Sequence, residues 1–441
     1  MKIKNIFILS MMAGMTLASC NYTDLSPQDS FTDKSYWKSA NDLKMYANGI
    51  YSNMLAGPSS TLDGESDNFV TNSPSGYLFN NYTVPTSGGG WDWGNVRSCN
   101  YFLKRYQTAS GSEAEINKYV AEIRFFRAQD YYSKIRNFGD VPWYESDLQT
   151  GDEAELFKGR DPRNLVLKKV IEDLEFAIQW LPEKTMAEKG RLHKDAARTQ
   201  LARVCLYYGT YMKYHHEAGS EGLTAEGLIT KAKQLTDEII NSGKYALYSD
   251  YENLFKPGGD ESSEMIFAIQ NIGGVGTDFG MPMTFYMGSR ASYGSCWNNV
   301  MASIDFVDSY ECKNGKPFDW NDYFEGYNEN IDIRKEVLYA KLDNSKKVVT
   351  YPASREKLLE MYENRDPRMK ASIILPYTHY AGWVKNAPKD TEFILLEKQG
   401  DAHENNGFIR VNQNYQLYLW RKFVAEGNMD GAINNRADTP I

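Results

Sequence analysis

Cys20 is the first residue of this chain whose type and setting imply chemistry. It closes the run Leu17-Ala18-Ser19-Cys20, and small residues ahead of a cysteine let a signal peptidase cut at Ser19–Cys20 and leave a thiol able to carry diacylglycerol. Lys2 and Lys4 supply a basic start and Ile6 to Ala18 a mostly apolar stretch, so residues 1–19 read as a lipoprotein signal peptide. Each buried methylene contributes about 0.8 kcal/mol; one acyl chain holds marginally, whereas two or three hold durably. An ordinary secretory signal with a chance cysteine is the competing reading. A second kind of chemistry is offered by aromatic residues set beside amides and carboxylates: Trp91-Asp92-Trp93 with Asn95, Tyr293 with Trp297-Asn298-Asn299, and Trp320-Asn321-Asp322-Tyr323. A sugar ring has an apolar C–H face rimmed by hydroxyls, which flat rings flanked by polar groups match. Each indole has a plainer reading as a ring packed beneath its own loop.

Catalytic and metal-binding patterns are weaker. His403-Glu404 opens like a zinc-protease helix, but Gly407 stands where the second histidine belongs. His215-His216-Glu217 places adjacent side chains about 100° apart on a helix, which suits a solvated helix end. No Gly-x-Ser-x-Gly elbow occurs. Asp63-Gly64-Glu65-Ser66-Asp67 lacks the glycine and terminal glutamate of a calcium loop, and Gly88-Gly89-Gly90 lacks the Lys-Ser/Thr of a phosphate cradle. We therefore expect no enzyme, metal or cofactor. A surface glycoside hydrolase stays as the alternative of a different class, because the separation of a carboxylate pair is spatial.

Composition narrows the partners. The 441 residues carry a formal net charge of −9 and no Lys/Arg-rich block, which argues against nucleic acid. After residue 20 no apolar run approaches the roughly 18 residues of a membrane span, leaving lipid as the expected attachment. The 31 tyrosines and 9 tryptophans exceed what packing alone suggests, so some should face a ligand or partner. Cys99, Cys205, Cys296 and Cys312 allow three complete pairings in an exported protein, with no CxxC spacing. Cys205, in a helical stretch, reads as a buried free thiol.

Helices must position these groups. Residues 20–38 read as a lipidated tether, and Ser39 as the cap of a helix carrying Leu43, Tyr46, Ile50 and Met54. Residues 57–94 form a long loop. From 95 to 243 the apolar spacing is helical: over 113–137 Ile116, Val120, Ile123, Tyr131 and Ile135 share one face, and Asp161 as N-cap with Pro162 at the first helical position opens a stripe from Leu167 to Leu181 that Pro182 ends. Segments 193–214 and 224–242 repeat the pattern, the latter closed by Gly243. Short connections make neighbours antiparallel, which gives a mostly α, tetratricopeptide-like platform of helical hairpins. Beyond 244, Met265–Ile269 reads as a short strand, Ser303–Tyr310 and Ser354–Tyr362 as helices, and the rest as a loop-rich, aromatic-rich cap.

Several motifs in order resemble one family. Leu25-Ser26-Pro27, Ser35-Tyr36-Trp37, Arg124-Phe125-Phe126-Arg127-Ala128 running to Phe138-Gly139-Asp140-Val141-Pro142, Gly190-Arg191-Leu192-His193-Lys194-Asp195 and Asn364-Arg365-Asp366-Pro367-Arg368 are similar to those of SusD/RagB outer-membrane nutrient-binding lipoproteins. The resemblance covers essentially the whole chain. It implies one SusD-like domain over 39–441, anchored to the outer membrane and exposed at the cell surface. It also implies capture of an oligosaccharide or polysaccharide for a SusC-like TonB-dependent transporter, with peptide capture as the alternative within the family. Ligand-facing aromatics of the family come from loops such as those holding Trp91, Trp93, Asn95, Tyr293, Trp297, Asn298, Trp320 and Asp322. Relatives normally continue past a segment like Asp438–Ile441 into another helix. We therefore expect a shortened C-terminus that leaves apolar platform surface uncovered.

Overall fold

The computed structural model of the protein describes residues 36–55, 64–71, 75–256, 258–259, 262–269, 283–288, 300–344, 349–384, 387–396, 418–424 and 426–427. The main helices are α1 (Ala40–Met54), α2 (Gly94–Leu103), α3 (Glu113–Phe138), α4 (Arg163–Trp180), α5 (Lys194–Tyr214), α6 (Ala225–Asn241), α7 (Ile304–Asp308), α8 (Ile331–Leu338), α9 (Arg355–Glu363) and α10 (Pro367–Ser372). Strands are few and short: besides the antiparallel pair Lys341–Leu342 and Val349–Thr350, they are β1 (Phe69–Thr71), β2 (Val300–Ala302), β3 (Ile373–Ile374), β4 (His379–Val384), β5 (Ala387–Glu392) and β6 (Leu419–Trp420). They pair antiparallel as β1–β2, β3–β6 and β4–β5. The fold is mostly α, as the periodicity predicts. No helix among the described residues is long and apolar enough to cross a membrane. The chain forms two compact units.

The first unit holds residues up to Met54, 92–182 and 211–225. Ser39 and Asp42 cap α1 reciprocally, since Ser39 N–H donates to the Asp42 carboxylate at 2.8 Å. Trp37 is buried against Tyr46 and Phe102, with centroids 5.1 and 5.7 Å away, so it belongs to this core rather than to the expected tether. Ser112 and Glu115 close α3 with a capping box. The Arg-Phe-Phe-Arg-Ala motif lies on α3. Arg127 is buried and grips Asp173 of α4 with Nε and Nη2 at 2.7 and 2.8 Å, while Nη1 donates to Asn100 of α2 at 2.8 Å. One guanidinium thus ties three helices. The start of α4 differs from the expectation. Pro162 itself is the extended residue ahead of the helix, and Asp161 is occupied elsewhere, accepting from Trp143 N–H at 2.7 Å. The Arg163 N–H is satisfied instead by Asp140 at 2.8 Å, so the Phe-Gly-Asp segment caps α4 from a distance.

The second unit holds 55–91, 183–210 and 226–441. At the head of α5, Asp195 accepts from Arg198, Lys244 and Tyr245 at 2.7, 3.3 and 3.1 Å. Burial would raise its carboxyl, but these donors outweigh it and hold the group below its usual range. Arg198 also reaches Glu238 at 3.0 Å, joining the start of α5 to the end of α6 as in an antiparallel hairpin. Between these helices lies an apolar groove of about 560 Å³ lined by Ala202, Leu206, Ile229, Ile239 and Ile240. Met265–Ile269 is irregular rather than a strand. Its carbonyls are spent on side chains, with Met265 O accepting from Lys184 at 2.5 Å and Ile266 O bonded to His193 Nε2 at 2.8 Å. The rest of the core gathers Met301, Trp320, Leu358, Met361, Phe393 and Leu419. Within it the Arg365 guanidinium sits 3.4 Å from the Phe318 ring and donates to the carbonyls of Val307, Asp308 and Tyr310 at the end of α7. Asp366 then caps α10 through Arg368 N–H at 2.9 Å, with Pro367 in its first turn.

Candidate functional site

The residues singled out by sequence fare differently. Trp320 lies in the core of the second unit, 5% exposed, its indole N–H donating to Asp308 at 2.9 Å and its ring stacked on Tyr327 at 4.1 Å and 10°. No face of that indole is open to a ligand; the plainer reading holds for it. Asp322, in the same 3-10 turn, is exposed. In the first unit Trp93 precedes α2 and is partly buried, packed edge-on to Tyr144 at 5.3 Å, with the Lys134 ammonium 4.9 Å from its ring. Lys134 pairs with Asp130 at 3.1 Å, and Asn95 donates to the same carboxylate at 3.4 Å. Trp93 and Asn95 therefore belong to a packed polar cluster that seats α2 on α3. Trp91 is exposed at 36%. Cys20, Tyr293, Trp297, Asn298, Cys296 and His403-Glu404 lie outside the described residues.

Trp91 ends a loop that the sequence reading understated. Tyr77 and Tyr82 stack face to face at 4.0 Å and 17°, each about half exposed, with Phe79 between them in sequence at 65%. The local chain explains the pairing. Ser75 caps a 3-10 turn over Gly76–Phe79, and Asn80 adopts left-handed φ of 53°, which reverses the chain and lets Asn81 N–H return to Gly76 O at 3.0 Å. The two tyrosines, five apart, are brought ring to ring. A hydrogen bond to Tyr82 is the main cause that pushes the Tyr77 phenol up to about 12. Gly88, Gly89 and Gly90 take φ of 73°, 64° and 85°, a succession open only to glycine, and Trp91 N–H closes that turn on Gly88 O at 3.1 Å.

Exposed aromatic rings elsewhere among the described residues stand singly: Phe157, Tyr207, Tyr214 and Tyr351. Four in one loop is a different matter, because single exposed apolar residues are ordinary whereas a concentration of them marks a contact surface. The loop issues from β1, whose Thr71 pairs with Val300 of β2, the strand entered directly after the Tyr293–Asn299 segment. Composition could have pointed to Tyr77 and Tyr82, since they fall with Trp91 in a stretch rich in Asn, Gly, Ser and Thr. No cluster of three or more His, Cys, Asp or Glu able to hold a metal occurs among the described residues. Cys99, Cys205 and Cys312 form no disulfide, and burial pushes the Cys99 thiol up.

A mostly helical fold and a loop of exposed aromatics suit a binding protein, and comparison with known proteins shows what the chain is similar to. The SusD family model matches residues 263–441. SusD-like protein P2 of Formosa agariphila is 24% identical over 88% of this chain and 73% of its own length. Starch-binding protein SusD of Bacteroides thetaiotaomicron is 24% identical over 66% of this chain and 55% of its own. Among solved structures, a SusD-like carbohydrate binding protein of Bacteroides fragilis superposes with a TM-score of 0.64 at 19% identity, covering 92% of this chain and 72% of that one. The chain is thus similar to proteins of the SusD/RagB family, with residues 263–441 matched by the family's own model.

Proposed function

We propose that this protein is a surface lipoprotein that captures a glycan on the loop 75–91 and passes it to a partner TonB-dependent transporter of the outer membrane, without itself cutting the glycan. The observation that carries the reading is the exposed Tyr77–Tyr82 stack accompanied by Phe79 and Trp91. Rings held face to face are already ordered, so a sugar that stacks on them meets little further entropy cost. The relatives support the ligand class: one is named a starch-binding protein and another a carbohydrate binding protein. Asn80, Asn81 and Thr83 lie in the same exposed stretch and supply polar partners for hydroxyls. Cys20 supplies the anchor.

A glycan array followed by titration calorimetry tests the reading on the mature protein. Stacking is worth on the order of 0.5–1.5 kcal/mol beyond buried area, and loss of an aromatic anchor commonly costs about 2 kcal/mol, so Tyr82→Ala should weaken binding at least about tenfold with an unchanged melting temperature. Wild-type affinity in Tyr77→Ala, Tyr82→Ala and Trp91→Ala alike would move the site off this loop. Release of reducing ends from polysaccharide above a heat-killed control would support the hydrolase alternative.

A further inference from the structure

The loop also carries information about the electrical character of what it binds, an inference that rests on the glycan-binding reading. In a chain with 24% charged residues, the stretch 68–91 contains no Asp, Glu, Lys, Arg or His. Every described residue from Tyr77 to Trp91 is exposed. A surface loop is where charge is ordinarily found, because exposure imposes no desolvation cost on it. We propose that the ligand is a neutral oligosaccharide, carrying neither uronate, sulfate nor free amine. An anionic sugar bound on these rings would give up hydration with no guanidinium or ammonium from this loop to replace it, and Arg is the residue whose planar fork suits such groups. The nearest charges make matters worse for an anion. Asp67 and Asp92 bound the stretch in sequence, Glu65 acts on the Tyr77 phenol, and the whole chain carries −9. The same flanking carboxylates would attract a free amine, but the loop itself offers none to pair with it, and Asp92 is already engaged by Gly94 N–H at 2.8 Å. The Tyr77 phenol, pushed up to about 12, stays protonated and adds no charge. What remains is suited to uncharged rings: aromatic faces for C–H groups, with Asn80, Asn81, Thr83, Thr86 and Ser87 for hydroxyls.

Titration of the mature protein with two panels decides the matter. One panel holds neutral gluco-, manno- and xylo-oligosaccharides, the other oligogalacturonate, sulfated galactan fragments and chitosan oligomers. We expect at least one neutral member to bind, no charged member to bind, and the dissociation constant to change less than about twofold between about 20 mM and about 500 mM NaCl, since screening acts on charges alone. Tyr82→Ala should weaken that binding at least about tenfold, while Tyr82→Phe, which keeps the ring, should stay within about twofold. A charged oligosaccharide that binds with steep salt dependence and is lost in Tyr82→Ala would overturn the neutral assignment and leave glycan capture standing. Neutral binding indifferent to both Tyr77→Ala and Tyr82→Ala would overturn the assignment of ligand character to this loop. Failure of every member of both panels would remove glycan capture itself.

Discussion

Asp173→Ala is the sharpest test of how the first unit is held. Asp173 is 2% exposed and Arg127 is 7% exposed. Two of the guanidinium's hydrogen bonds, at 2.7 and 2.8 Å, end on that one carboxylate, and Arg124 approaches it at 3.4 Å. Removing it leaves a buried cation with Asn100 and the Trp143 ring, 4.9 Å away, as company. Truncating one member of a buried pair costs about 3–5 kcal/mol, most of it the penalty of the charge left behind. Replacing both members by apolar residues of similar volume, as in Arg127→Met with Asp173→Leu, removes that penalty, so the double variant should be more stable than Asp173→Ala. Equilibrium urea unfolding followed by circular dichroism and tryptophan fluorescence supplies the free energies. The coupling over the cycle Arg127→Met, Asp173→Leu and the double should reach about 1.5 kcal/mol or more. Loss of less than about 1 kcal/mol in Asp173→Ala, or simple additivity in the cycle, would refute the account of Arg127 as the tie between α2, α3 and α4.

Three further outcomes follow from single side chains. Asp308 has its carboxyl raised to about 6, chiefly by burial, with the Trp320 indole and Arg365 opposing. Because the unfolded carboxyl lies near 3.9, the folded state holds the extra proton between these values, so stability should fall by up to about 2–3 kcal/mol as pH rises from about 4 to about 6, then level off; Asp308→Asn should lack this slope in urea titrations compared across that range. Trp320→Ala opens a core cavity and should cost about 3–5 kcal/mol in unfolding free energy while the folded protein keeps glycan affinity within about twofold, since the ring faces Tyr327 rather than solvent. If the proposed anchor holds, Cys20→Ala removes its acylation site and should shift the protein from the outer-membrane fraction to a soluble one; retention in the membrane would refute the anchor.

The helices were the legible part because their signals are local. α3, α4, α5 and α6 end within a residue or two of where the apolar spacing and Gly243 place them. What was not legible depends on contacts distant in sequence. Asp161 reads as a cap because it precedes Pro162, but its carboxylate accepts from Trp143 N–H, and the cap is Asp140, 23 residues before the Arg163 whose N–H it accepts. Met265–Ile269 has the composition of a buried strand, and nothing local reveals that Lys184 and His193 claim its carbonyls. Trp320 looked exposed because Asn321 and Asp322 adjoin it. Asn321 serves the turn instead, bonding Glu329 at 2.9 Å, while the indole turns inward to an aspartate 12 residues earlier.

The loop 75–91 shows the opposite error, and its cause is instructive. Indoles beside amides are the residues with the largest stacking area in the sequence, a pattern that singles out Trp91 and passes over Tyr77 and Tyr82. Stacking area alone does not make an anchor; the ring must also be held still with one face free. Trp320 is held still on both faces, and Trp93 is partly covered by Tyr144 and Lys134. Tyr77 and Tyr82 are each held by the other, which fixes one face and frees the second. A left-handed asparagine and three left-handed glycines shape the turns that hold these rings at the surface. Left-handed backbone in an asparagine, and four aromatic rings left in water, give up stability that burial would return. Such departures from what folding favours are expected where a surface serves binding.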